Sequence, residues 1–248
     1  MRCRENKTAG VLALGEHAVF SRRQMLVTGI AATALAGCSK APGSVFRTAE
    51  FHPASYPTSL AITEMGRLME GYSDGRLSIK LYAGSQLGAE RDTLEMTTFG
   101  GIDINRVSLG PLNSIEPMTN ILGLPFLFNN VAHMRDAMDG APGQQVLRSL
   151  EPHGLIGLCF YDSGARSFYN TKRPIRTPED MAGMKLRVQN SDLYVSLIQE
   201  LGANPTPMSL GEVYQSLVQG VIDGAENNWP SYFEGRHFEV AKYYSLTR

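Results

Sequence analysis

Apolar positions along the chain change their period in a regular order. Val45–Phe51 reads as a strand, and Leu77-Ser78-Ile79-Lys80-Leu81 alternates with a period of two, as a half-buried strand does. Between them, Pro57–Tyr72 carries Leu60, Met65, Leu68 and Met69 on or near one helical face, with Pro57 suited to the first turn. Glu90–Phe99 predicts a helix and Ile102–Val107 the next strand, so the order implies βαβ units and a largely parallel sheet. Pro117–Phe128 is a connecting region, followed by helical segments at Met134–Met138 and Gln144–Leu150. The unbroken apolar run Leu155–Tyr161 predicts a buried strand. Past Arg166 the pattern predicts strands at Ser167–Asn170 and Met184–Val188, helices at Leu193–Leu201 and Leu210–Gln219, and a further helix starting after Trp229.

The first 38 residues depart from this pattern and read as an export signal. Ser21-Arg22-Arg23-Gln24-Met25-Leu26 is similar to a twin-arginine motif, with methionine where that motif prefers phenylalanine, so the general secretory route stays open. The short apolar stretch Val27–Ala36 leads to Leu35-Ala36-Gly37-Cys38, similar to a lipoprotein box in which Cys38 becomes the lipidated first residue; an ordinary signal with an incidental cysteine is the alternative. Residues 39–44 form a linker. A lipid would tether the chain to a membrane surface without spanning it. Of three cysteines, Cys3 leaves with the signal and Cys38 carries lipid. Cys159 then remains alone, read as a small buried hydrophobe with no disulfide partner.

The formal net charge of −1 over 248 residues excludes a strongly basic nucleic-acid binder. A hydrophobic fraction of 43% supports one or two ordinary cores, and no later apolar run approaches the about 18 residues of a spanning helix.

The most informative chemistry lies in Met184-Lys185-Leu186-Arg187-Val188, where an arginine stands inside an apolar strand. Burying a guanidinium unpaired is very costly, and its planar fork suits a carboxylate. An internal acid would satisfy it as well as a ligand would. Several stretches in fixed order accompany it: Gly84-Ser85-Gln86-Leu87-Gly88 with Glu90-Arg91, Leu124-Pro125-Phe126-Leu127-Phe128, Gly164-Ala165-Arg166, Gly202–Met208, Gly211–Leu217 and Val221–Asn227. Together they resemble the substrate-binding proteins of TRAP (tripartite ATP-independent periplasmic) transporters, of the C4-dicarboxylate and uronate-receptor type, from Val45 to Arg248.

The resemblance implies an α/β, two-lobed periplasmic binding protein with a ligand cleft between the lobes, without catalysis, cofactor or metal. The first lobe would run from 45 to 164 and the second from 165 to 248. Its partners would be a small organic acid and the membrane subunits of a TRAP permease, and its location periplasmic. Family members continue past Tyr243-Tyr244-Ser245-Leu246, so the C-terminal part of the second lobe is expected to be missing, as a fragment or a truncated gene product. They often carry Gln-Glu-Asn where this chain has Ala225-Glu226-Asn227.

The resemblance carries three ligand residues over: Arg187 as the bidentate partner of a ligand carboxylate, Arg166 as a second positive group, and Asn227 as an orienting amide. From the other lobe Glu90 is expected to accept ligand hydroxyls, which favours a hydroxylated acid over a plain dicarboxylate. A helix-start acid needs no such role. His52, in Phe51-His52-Pro53-Ala54-Ser55-Tyr56-Pro57, and Asn228 resemble uronate-receptor positions. Tyr214 and Trp229 are candidates for ring stacking or for the core, and Asn105 and Arg106 are weaker candidates.

An enzyme is the reading from another class. Glu90, Asp92 and Glu95 are close, but acids on one helix usually form a solvated face; no Gly-x-Ser-x-Gly elbow, phosphate loop or Cys-x-x-Cys pair is present. A receptor serving a signalling protein, and a non-functional remnant, complete the alternatives.

Overall fold

The alternating segment Leu77–Tyr82 (β2) pairs in parallel with Ser44–Glu50 (β1), and β1 pairs in parallel with Ile104–Arg106 (β3), giving the order β2-β1-β3. These elements come from a computed structural model that describes residues 43–247. The expected export signal, Cys38 and the linker as far as residue 42 lie outside the described residues. The crossovers of this sheet contain the helices Pro57–Tyr72 (α1) and Glu90–Thr98 (α2), as the periodicity predicted. Gly66 lets α1 approach closely, since a Cβ there would stand 3.1 Å from Cβ of Ile79 on β2. Asp92 fastens the start of α2 by accepting from the Ala89 backbone N–H at 3.2 Å. Four further helices follow, Leu109–Leu112 (α3), Thr119–Leu122 (α4), Val131–Asp139 (α5) and Ala141–Ser149 (α6). Of the two short ones, α4 falls in the region read as a plain connection and α3 just ahead of it.

The second sheet has five strands in the order β6-β5-β7-β4-β8, from Ser167–Asn170 (β4), Lys185–Val188 (β5), Asn204–Pro207 (β6), Gly224–Asn227 (β7) and Tyr243–Ser245 (β8). β5 runs parallel to β6 and β7, whereas β4 is antiparallel to both β7 and β8. The largely parallel expectation therefore holds for the first sheet only. β4 reaches β5 through a loop and a 3-10 turn at Pro178–Met181, not through a crossover α-helix, so it is free to run the other way. β6 takes the edge, where Pro205 and Pro207, lacking N–H groups, are tolerated.

Alternation along β5 divides its side chains between two apolar layers. Leu186 and Val188 join Met181, Met184, Tyr194, Ile198 and Ala203 beneath the helix Asp192–Glu200 (α7). Arg187 points to the other face, in register with Ala225, which is opposite Tyr169, which is opposite Tyr244. That face is packed by Leu210–Val218 (α8) and Trp229–Glu234 (α9), through Val213, Leu217 and Tyr232. The first sheet has its own cluster, Leu94, Leu112, Leu150 and Leu155.

One expectation fails. Leu155–Tyr161 forms no strand, and Ile156, Leu158 and Cys159 are exposed. β3 presents a free edge at the rim of the first sheet, and a cavity separates that edge from the run. No strand among the described residues lies between them, so the run has no ladder partner and stays irregular. Cys159 is consequently exposed instead of a buried hydrophobe.

Ile198 is fully buried in the layer beneath α7. Ile198→Ala should cost about 3 kcal/mol of stability, read as a lower urea midpoint with an unchanged slope.

Candidate functional site

Arg187 is 2% exposed, yet its guanidinium is only partly engaged. Nε donates to the Met208 carbonyl at 2.9 Å, while Nη1 is buried without any partner. Burial lowers its pKa from the ordinary guanidinium value, against the opposing field of Glu226. The group remains a cation. An incompletely bonded buried guanidinium is a poor structural element and a good anion receptor.

Arg187 borders a cavity of about 790 Å³ that lies between the two sheets. The other residues singled out from the sequence, His52, Glu90, Arg166, Asn227 and Asn228, line the same cavity. A smaller cavity of about 250 Å³ lies against Arg187, Glu90 and Gln189 as well, so these side chains stand where the two spaces adjoin.

Arg166 follows Gly164, whose φ of +87° sets the turn into β4. Its Nε meets a Glu226 carboxylate oxygen, and Nη2 donates to the Glu226 carbonyl at 3.0 Å. Burial opposes the charge, but adjacent Glu226 outweighs it and holds Arg166 more firmly protonated than usual. The guanidinium also stands 5.8 Å from the Tyr194 ring centroid. Arg166 thus has an internal acid, whereas Arg187 does not. Glu226 Oε1 remains buried and unbonded.

Glu90, the first residue of α2, accepts the Ser108 backbone N–H at 2.6 Å. Burial raises its pKa, opposed by that hydrogen bond and by the fields of Arg106 and Arg187. Asn105 donates to Thr93 Oγ1 at 3.3 Å and leaves its Oδ1 buried and free. The first half therefore presents the acceptors Glu90 and Asn105 together with Arg106, and the second half presents Arg166 and Arg187. Asn227 accepts the Asn228 backbone N–H at 2.9 Å and otherwise borders the cavity.

His52 and Asn228 reach the cavity wall with both ring nitrogens of the first and the side-chain oxygen of the second already engaged. His52 Nδ1 lies 3.0 Å from Glu50 Oε1, and Nε2 lies 3.3 Å from Ser231 Oγ. Asn228 Oδ1 caps α9 by accepting the Ser231 N–H at 2.9 Å, and accepts the Tyr56 hydroxyl at 3.2 Å. Arg106 stands at the wall between His52 and Ser163 Oγ. Tyr214 and Trp229 do not line the cavity; Tyr214 donates to Glu239 at 2.8 Å, and the half-exposed Trp229 packs on Tyr232 and Tyr244. Sequence reasoning missed Gln189, Ser163 and Tyr194. Only Gln189 left a signal, standing two residues beyond Arg187 and hence on its side of the strand.

Among the described residues no cluster of His, Cys, Asp or Glu could hold a metal ion, and no helix is long and apolar enough to cross a membrane.

Two α/β halves with an incompletely paired guanidinium bordering the space between them have the architecture of a solute-binding protein. Residues 48–248 match the model of the bacterial extracellular solute-binding protein family 7, and the chain belongs to that family. It is 47% identical over 196 residues to a solute-binding protein of Chromohalobacter salexigens, covering 79% of this chain and 58% of that one. It is 33% identical over 188 residues to the 2,3-diketo-L-gulonate-binding periplasmic protein of Escherichia coli, covering 76% and 57%. Among solved structures, a TRAP periplasmic solute-binding protein from Xanthobacter autotrophicus with bound β-D-galacturonate is similar at a TM-score of 0.79 and 50% identity, over 81% of this chain and 67% of that one. One from Chromohalobacter salexigens with bound D-glucuronate gives 0.79 and 46% over the same shares. The chain thus spans under three-fifths of the length of these two curated relatives.

Burial depresses both His52 and His237 from 6.5 to about 4. Between those values the unfolded chain binds more protons, so stability present above about pH 6.5 is lost as pH falls toward 4. The urea midpoint of the ligand-free protein should fall from about pH 7 to about pH 4.5, and fall less in His237→Gln.

Proposed function

We propose that this chain forms the ligand-binding part of an extracytoplasmic receptor that closes on a sugar acid of the uronate class and delivers it to a TRAP-type permease. The observation that carries this reading is the buried Arg187 guanidinium with Nη1 unbonded, at the border of a cavity that Glu90 and Asn105 also line. A ligand carboxylate completes the guanidinium in the low-dielectric space between the halves. Glu90 and Asn105 on the cavity wall then accept hydroxyl groups, while Arg106 beside them is paired with Glu50. Acceptors in place of a second free cation favour a hydroxylated monoacid over a dicarboxylate. The bound galacturonate and glucuronate of the relatives support the same class. A micromolar receptor needs about −8 kcal/mol, which one desolvated ion pair and several hydroxyl hydrogen bonds can supply.

Export and lipidation at Cys38 would place the receptor at a membrane surface without a spanning segment. Mass spectrometry of the mature form reads this directly: an acylated N-terminal Cys38 supports the anchor, and cleavage after it removes the claim.

Arg187→Ala should weaken D-glucuronate binding at least about tenfold, the equivalent of 1.4 kcal/mol, and Arg187→Lys should also weaken it because a point charge replaces a fork. Unchanged calorimetric affinity in Arg187→Ala refutes the assignment. Glu90→Gln should weaken uronate binding while improving that of succinate, narrowing the preference between them. Succinate bound more tightly than glucuronate by the wild-type protein would instead make this a dicarboxylate receptor.

A further inference from the structure

The loop between β1 and α1 is fastened to the start of α9 by a buried polar seam across 172 to 179 residues of sequence. The Tyr56 hydroxyl lies 3.2 Å from Asn228 Oδ1 and 3.0 Å from Ser231 Oγ, and Ser231 Oγ lies 3.3 Å from His52 Nε2. The rings of His52 and Tyr56 stack with centroids 3.6 Å apart and planes 2° from parallel. Behind them Glu50, 1% exposed, accepts from the His52 backbone N–H at 3.0 Å and from Thr58 Oγ1 at 2.8 Å, with Arg106 Nε at 3.6 Å. Burial favours a neutral Glu50, but His52 and Arg106 outweigh it and keep the carboxylate ionised. His52 then donates from Nδ1 to Glu50 and accepts from Ser231 at Nε2. The single Tyr56 proton is then shared between Asn228 Oδ1 and Ser231 Oγ.

Glu50, His52 and Ser231 have the connectivity of a nucleophilic triad. Ser231 is 2% exposed, however, and Tyr56 stands hydrogen-bonded against its oxygen, so no acyl carbon can reach it. The seam is a joint between the halves instead. At one end Arg106 borders the cavity, and at the other Asn227 receives the Asn228 N–H, so a shift of Asn227 toward a ligand turns the residue that caps α9. A second bridge across the halves, Asn113 Nδ2 to Ser191 Oγ at 2.8 Å, is a single bond.

We propose that the Tyr56–Ser231–His52 seam, whose Ser231 and His52 border the cavity, is the pivot about which the two halves close, with Tyr56 and Ser231 acting as positioning residues that set ligand retention through their hydrogen bonds. This rests on the reading of the chain as a closing receptor. A buried network bonded from both halves restricts their relative arrangement, which is what a pivot requires. Cutting one bond in it frees the relative angle of the halves.

The test compares Tyr56→Phe, Ser231→Ala and the double variant, in the full chain, by D-glucuronate dissociation kinetics and by small-angle scattering with and without ligand. Tyr56→Phe and Ser231→Ala should each speed dissociation about five- to twentyfold with little change in association, the double variant should add little to either, and the ligand-free scattering should broaden. Wild-type dissociation rates together with an unchanged ligand-free profile overturn the proposal. So does an acceleration reproduced by Asn113→Ala and absent from both seam variants. If the wild-type protein binds no uronate, the receptor reading fails separately, and the ligand-free scattering decides the pivot: broadening in Tyr56→Phe supports it, and an unchanged profile overturns it.

Discussion

A guanidinium buried to 2% exposure and bonded through one nitrogen cannot be stable in isolation, and the site is built around that fact. The strand that carries Arg187 is held between β6 and β7, so the side chain cannot withdraw to solvent without breaking the sheet. Its neighbours on the same face are Ala225 and then Tyr169, neither of which brings a counter-charge into hydrogen-bond range. Glu226, next to Ala225 on the adjacent strand β7, points to the opposite face and is taken by Arg166. Arg187 Nη1 is thus left without a partner among the described residues. That is the physical content of the receptor assignment.

The two halves share the electrostatic work unequally. The second carries Arg187 and Arg166, and the first carries Glu90, the free Asn105 oxygen and an Arg106 held by Glu50. A ligand with an acid at one end and hydroxyl groups at the other matches this polarity from wall to wall. The same asymmetry operates inside the joint between the halves, where Glu50 stays ionised because His52 and Arg106 surround it. Deep burial keeps His52 neutral, with a pKa of about 4, and therefore able to accept the Ser231 proton. Ligand binding and the joint thus draw on one continuous set of buried polar groups, with Arg106 and the Asn227–Asn228 pair as the links.

Periodicity and local chemistry determined much of this from the sequence alone. The helices α1, α2, α7 and α8, the strands β1, β2 and β5, and the arginine inside an apolar strand were all legible, because each follows from spacing within a few residues. The family followed from ordered motifs such as Gly164-Ala165-Arg166 and Met184–Val188. Tertiary structure decided what depends on distant partners. Leu155–Tyr161 has a strand's composition but no neighbour to pair with, so it remains irregular and exposes Cys159. Arg166 and Arg187 look alike in sequence, yet only pairing across β4 and β7 gives Glu226 to one and leaves the other unpaired. His52 and Asn228 were legible as polar residues near the site. Their bonds to Ser231 and Tyr56 join groups more than 170 residues apart, a relation that no local pattern encodes because only folding brings them together.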